Sequence, residues 1–208
     1  DNIQDIIEKM FALKAKGVNV ATVFNIGSRE TYVPALKNGE VNVFPEYTGA
    51  FALFLKPDAD VKDSATALAS LKAALPEGLV ALEPSKAEDK DSVAVTAETA
   101  AKYSLKSVGD LAPVAGQLVL GGPPEWSSRA NGVQGLKSVY GLTFKEFKPL
   151  DVAGPLTVTA LKNGTVQAAN LFTTDPAIKA NKFVVLDDPK NLFGAQNVIP
   201  VVSKSKAS

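Results

Sequence analysis

Apolar residues recur along this chain at two spacings. Ile3, Ile6, Ile7, Met10, Phe11 and Leu13 stand at helical intervals, and Gly17 follows as a C-cap, so an opening helix is predicted. Val18 to Phe24 is rich in β-branched residues and reads as a buried strand. Gly27-Ser28 makes a turn, Ser28 is placed to N-cap a helix over Arg29 to Asn38, and Gly39 ends it. Val41 to Phe44 is a second short strand, which Pro45 stops. Strand, helix and strand in this order form the unit of parallel sheets.

The same alternation runs on. Ser64 to Ala74 is an Ala-rich amphipathic helix ended by Pro76 and Gly78. Further helices fit Ala97 to Tyr103, Val108 to Val114 and Val133 to Tyr140, the last capped by Gly141. Strands fit Val93 to Val95, Gln117 to Leu120, Phe144 to Lys148, Val166 to Asn170 and Phe183 to Leu186. Polar, helix-poor PSKAEDKDS, Pro84 to Ser92, reads as the approach to a crossover between two lobes. The fold class is α/β.

One segment occurs twice. Ala35-Leu36-Lys37-Asn38-Gly39 returns letter for letter as Ala160-Leu161-Lys162-Asn163-Gly164. Val41 and Val166 each follow two residues past the Gly, and Tyr47-Thr48 and Phe172-Thr173 fall at matching offsets. A helix ending of this kind can arise twice by chance. The sharper reading is two lobes of like topology, each presenting an aromatic-Thr pair at the C-terminal end of a strand, where open α/β sheets bind ligands.

Composition narrows the chemistry. The 208 residues are 46% hydrophobic, enough for a substantial core, and Lys+Arg 22 balance Asp+Glu 22. A nucleic-acid partner is therefore not expected, since displacing phosphate counterions takes a positive surplus. With Cys 0 there are no thiol nucleophiles or disulfides, and with His 0 the commonest general base and transition-metal ligand is missing. An enzyme is disfavoured, and no metal or cofactor is expected. No apolar run approaches the roughly 20 residues that cross a bilayer.

Gly27-Ser28-Arg29, Ala35-Leu36 with Gly39-Glu40-Val41, and Pro45-Glu46-Tyr47-Thr48-Gly49 together resemble substrate-binding proteins of ABC importers for osmoprotectants such as glycine betaine, choline and carnitine. The resemblance continues through Arg129-Ala130-Asn131-Gly132, Gly135-Leu136, Tyr140-Gly141, Thr174-Asp175 and Leu186-Asp187-Asp188 to Asn197 and Pro200. It implies a type II periplasmic-binding fold: two lobes, each a mixed sheet flanked by helices, with two crossovers. Residues 1–90 plus 196–208 would form lobe one and 91–195 lobe two. It also implies an extracytoplasmic receptor that hands a small-molecule solute to a membrane permease by hinge closure; we expect a monomer. Family members open with a strand and a Gly-Ser turn before a segment ending Thr-Glu-Gln. Here only Gln4 matches that segment, so either the opening strand lies outside the given residues or the lobe-one sheet lacks a strand, and any lipid anchor would lie outside these residues.

The resemblance also implies a site. Quaternary ammonium groups donate no hydrogen bonds and are held by ring faces, at about 0.5–2 kcal/mol for each ring. Tyr47 matches one cage position and Phe172 a second, each followed by its Thr, Thr48 and Thr173. Asp91 and Gln196 stand where further aromatics are common, so the cage is reduced. Arg129 would take the ligand carboxylate, because a guanidinium matches it as a planar fork. A cationic or zwitterionic solute with an additional hydrogen-bonding group is expected in preference to simple glycine betaine. Gln4 completes the expected ligand-binding set.

Each residue has a plainer role. Arg129 could form a surface or interlobe salt bridge, and Asp91 could be a solvated loop acid. Trp126 could roof the cleft but suits packing on lobe two better, Tyr32 fits core or surface, and Arg29 would pair with an acid on the surface. Asp175-Pro176 reads as an N-cap followed by Pro at the first helical position. Two other functional classes stay open: a sensory ligand-binding domain, and an enzyme using Ser128 or the Thr173-Thr174-Asp175 cluster.

Overall fold

The computed structural model of the protein describes residues 13–206. The predicted opening helix and Gln4 lie outside these residues, apart from residues 13–15, which are helical. The strand expected over Val18 to Phe24 joins no ladder among the described residues. Val18, Val23 and Phe24 are 49%, 66% and 52% exposed. β-branched residues favour a strand only against a partner and a buried face, and this segment has neither.

Helix α1, Arg29–Asn38, follows its predicted bounds and closes on Gly39 at φ 78. The Ser28 hydroxyl does not cap it. Instead Ser28 Oγ bonds Glu30 Oε2 at 2.5 Å. Strand β1, Val43–Tyr47, runs through Pro45 rather than stopping there. Pro45 lies opposite Pro200, on an edge strand and at a position where neither residue need supply an N–H to the other. Helix α2, Thr48–Leu55, has six buried residues among its eight and therefore no amphipathic period to betray it. Helix α3, Ser64–Ala74, is capped by Asp63, which accepts from Thr66 N at 2.9 Å. Strand β2 is Leu79–Ala81.

The chain then builds a second sheet. Its elements are β3 (Asp91–Val95), α4 (Ala97–Tyr103), β4 (Val119–Gly122), α5 (Val133–Tyr140), β5 (Glu146–Pro149), α6 (Pro155–Lys162), β6 (Ala168–Phe172), α7 (Pro176–Asn181) and β7 (Val184–Val185). The expected helix from Val108 to Val114 is a 3-10 turn over Val108–Leu111, opened by a Ser107–Asp110 capping box. The chain returns to the first sheet as β8, Val198–Ser203.

The first sheet has the order β1-β8-β2 and is antiparallel throughout the described residues. The second has the order β5-β4-β6-β3-β7 and is mixed: β4 lies parallel to β5 and β6, while β3 is antiparallel to β6 and β7. A mixed first sheet, as the resemblance implies, would need a further parallel strand, and the unpaired Val18 to Phe24 segment supplies none. Each sheet has its own core. Leu36, Phe51, Leu71, Ile199 and Val201 pack together in the first lobe. In the second, Val93, Val95 and Leu120 face Trp126 and Leu136, while Ala94 points the other way onto Leu161 and Leu171, as the period of two requires.

The two connections between the sheets run side by side. Glu88 faces Asn197 in an antiparallel bridge, Asp89 N donates to Gln196 O at 3.1 Å, and Val198 N donates to Ala87 O at 3.1 Å. The repeated segment is a structural repeat as well. Val41 N donates to Ala35 O at 3.2 Å, and Val166 N donates to Ala160 O at 3.1 Å. Gly39 and Gly164 are both left-handed, at φ 78 and 77. Strands β1 and β6 occupy the same offsets and end on Tyr47 and Phe172.

Candidate functional site

Tyr47 ends β1 beside a buried charge cluster. Glu46, 1% exposed, accepts from Arg29 Nε at 2.9 Å and Nη2 at 2.8 Å, and from the Tyr32 hydroxyl. Its Oε2 also accepts from Tyr47 N at 2.9 Å. Arg29 is thus buried, not on the surface, because this carboxylate meets its guanidinium inside the fold. Burial alone would lower the Arg29 pKa, but the charge and hydrogen bonds of Glu46 carry it well up. Tyr32 is core, stacked on Phe44 with ring centroids 3.8 Å apart.

Tyr47 itself is half-buried, and its phenol is pushed up to about 12, first by burial and then by the nearby charge of Asp89. The charge of Asp91, the first residue of β3, raises it as well, by less than Asp89 does. Asp91 lies directly opposite Phe172 in the β3–β6 ladder, and Phe172 is half-buried too. Asp91 is thus paired with Phe172 across the ladder, and its charge is felt at Tyr47.

Asp91 is not a solvated loop acid. Its Oδ2 accepts from Asn131 Nδ2 and its Oδ1 from Asn170 Nδ2, each at 2.9 Å. Burial raises its pKa above the ordinary value, against the Asn170 hydrogen bond, the charges of Arg29 and Arg129, and the Asn131 hydrogen bond. Arg129 Nη2 reaches Glu30 Oε2 on α1 at 3.3 Å, an ion pair between the lobes, while its buried Nε has no partner.

Other expected residues are consumed by the fold. Thr48 Oγ1 accepts from Asn197 N at 3.1 Å and donates to Ala195 O at 3.3 Å, pinning α2 to the return crossing. Gln196 is 1% exposed. Its Oε1 accepts from Ala50 N at 2.9 Å and its Nε2 donates to Phe193 O at 2.5 Å, so no free amide is left for a ligand. Thr173 Oγ1 accepts from Lys90 N at 3.1 Å and ties the outgoing crossing to the end of β6. Trp126 is 1% exposed and stacks with Phe193, which makes it core and not a roof. Ser128 Oγ donates to Glu125 O at 3.1 Å, and Asp175 caps α7 by accepting from Ala177 N at 2.8 Å.

Two glycines permit this arrangement. A Cβ on Gly49 would stand 2.4 Å from Ala195 O, and one on Gly132 would stand 2.0 Å from Trp126 O, so each lets backbone approach backbone beside a site residue. Two surface hollows of about 250 and 420 Å³ flank α1. In the first, Arg29 is already committed to Glu46, and neither contains Tyr47, Asp91 or Phe172.

Glu46, Asn131 and Asn170 are the residues that sequence reasoning passes over as functional. Asn170 carries a usable signal: an amide within the apolar strand Ala-Ala-Asn-Leu-Phe is buried there and needs a partner.

Two α/β lobes joined by paired crossings define the type II periplasmic-binding class. Over residues 6–208 the chain matches the substrate binding domain of ABC-type glycine betaine transport system, and it belongs to that family. It is 29% identical over 202 residues to the glycine-betaine-binding protein of Pseudomonas aeruginosa, covering 92% of this chain and 65% of that one. It is 28% identical over 195 residues to the carnitine transport binding protein OpuCC of Listeria monocytogenes, covering 92% of this chain and 61% of that one. The chain thus spans somewhat less than two thirds of these relatives' length. The crystal structure of a glycine betaine/carnitine/choline ABC transporter protein superposes with a TM-score of 0.67 at 27% identity, over 96% of this chain and 74% of the other. These relatives are named for binding and transport, not catalysis, in keeping with a chain that has no His or Cys.

Proposed function

We propose that this chain captures a quaternary-ammonium or related cationic or zwitterionic, osmoprotectant-like solute between its lobes and delivers it to the permease of an ABC importer. The reading is carried by one observation: Tyr47 and Phe172 end the two copies of the repeated unit, one in each sheet, and Phe172 lies opposite Asp91. The cage is reduced to these two rings, with Arg129 as the carboxylate anchor through its unpartnered Nε. The lobes divide at residues 90/91 and 195/196, beside the paired crossings, which act as the hinge. Solute touching both lobes stabilises the closed state over the open one.

Among the described residues no helix is long and apolar enough to cross a membrane. We place the protein outside the cytoplasm, where an importer's receptor meets its solute, working as a monomer. The relatives named for glycine betaine and carnitine support the solute class. Calorimetry on Tyr47→Ala and Phe172→Ala tests the reading: both should weaken binding of glycine betaine or carnitine strongly. Unchanged affinity in both variants defeats it.

A further inference from the structure

Resting on that reading, we propose that Asp91 and Asn170, with Asn131 orienting the carboxylate, select a zwitterion whose cationic end or side arm keeps a hydrogen-bond donor, over its fully methylated or deoxygenated analogue. A closed aromatic cage would have no such preference, because ring faces hold an ammonium that donates nothing. Here a carboxylate lies beside the Phe172 ring, and it is held by two amides.

The orientation of Asn170 is fixed by its partners. Its Nδ2 donates to Asp91 Oδ1 at 2.9 Å and to Ser92 O at 3.3 Å, and both of those atoms only accept. The amide cannot be turned over without setting oxygen against oxygen. Its Oδ1 is thereby left without a partner on a side chain that is 1% exposed. Asp91 is also incompletely used. Its two oxygens offer about four acceptor positions, and Asn131 and Asn170 take one on each.

The second lobe thus offers two opposite chemistries. Asp91 and Asn170 present acceptors, which an N–H or O–H satisfies and a methyl group leaves bare. Arg129 Nε is a buried donor without a partner, which a carboxylate satisfies. Tyr47 and Phe172 remain to pack on the alkylated part of the cation. Partly methylated amino acids and hydroxylated betaines have all three features. Glycine betaine has only the last two.

The test uses two solute pairs that differ by one donor: dimethylglycine against glycine betaine, and carnitine against γ-butyrobetaine. Isothermal calorimetry on the unmodified protein should favour the donor-bearing member of at least one pair by roughly tenfold or more, since a site built to hydrogen-bond rejects an analogue lacking the group. Asn170→Ala should bring that ratio toward one while changing the weaker member little. Equal affinities within both pairs overturn the selection and leave the proposed function standing. Failure of all four solutes to bind overturns both.

Discussion

Arg29 and Glu46, 17 residues apart, meet inside the first lobe through two hydrogen bonds of 2.9 and 2.8 Å. The same carboxylate accepts from Tyr32 and from the backbone of Tyr47. The pair therefore sets the position of the residue that ends β1, and the ring of Tyr47 is presented from a rigid base.

Breaking this pair from one side should be costly. Glu46→Gln leaves a buried guanidinium uncompensated, and we expect a loss of about 3–5 kcal/mol in chemical unfolding. Arg29→Met with Glu46→Leu removes both charges and should recover most of that loss. A double variant no more stable than the single one contradicts the assigned pairing.

The Tyr47 ring and its hydroxyl should separate cleanly. With the phenol pushed up to about 12, the ring is neutral throughout the physiological range. Tyr47→Phe keeps the π face and should hold solute affinity within about threefold. Tyr47→Ala should lose about 2 kcal/mol, the figure for a desolvated cation over a ring. Titration calorimetry distinguishes the two outcomes.

If Arg129 is the carboxylate anchor proposed above, Glu30 competes with the solute for it. The 3.3 Å pair places Glu30 on the guanidinium, so Glu30→Gln should raise affinity for carboxylate-bearing solutes and leave choline, which has no carboxylate, unaffected. Burial, the largest single effect, raises the Glu30 pKa, but the hydrogen bonds from Ser28 and its own backbone, with the charge and hydrogen bond of Arg129, together bring it below its ordinary value. What Glu30 adds to stability is therefore present above the ordinary carboxylate value and is lost as pH falls through the lowered one. Thermal melts of Glu30→Gln against the unmodified protein should converge on acidification.

Asp91 has the opposite sign. Its carboxyl is raised by burial, so the folded state binds its proton more tightly than the unfolded state does. The associated stability is complete below the unfolded value and disappears as pH rises through the folded one. Subtracting the melting temperature of Asp91→Asn from that of the unmodified protein cancels the constant cost of the altered hydrogen bonds. The difference should grow as pH falls from about 7 toward about 4. A flat difference across that range would mean that Asp91 titrates as an ordinary surface acid.

Much of the architecture could be read from local pattern. Helices α1, α3, α4 and α5 carry their own stop signals, such as Gly39 and Gly141, and form at the predicted bounds. The internal repeat likewise predicts matching strand ends at Tyr47 and Phe172. Helix α2 escapes because it is apolar on every side, and Val18 to Phe24 misleads because propensity cannot supply a neighbour. At the site, the residue types at Thr48, Thr173 and Gln196 suit a ligand, but backbone groups far along the chain claim them first.

By itself, then, the order of residues determined the class of fold, the two related halves, the lack of thiol and imidazole chemistry, and the pair of rings. Periodicity, composition and repetition are local properties of the chain. Only the tertiary structure decided which polar atoms are spent and which are free. A hydrogen bond between Asp91 and Asn170, or between Arg129 and Glu30, joins residues 79 and 99 positions apart, and whether an acceptor is left over depends on every group the fold brings within reach of it.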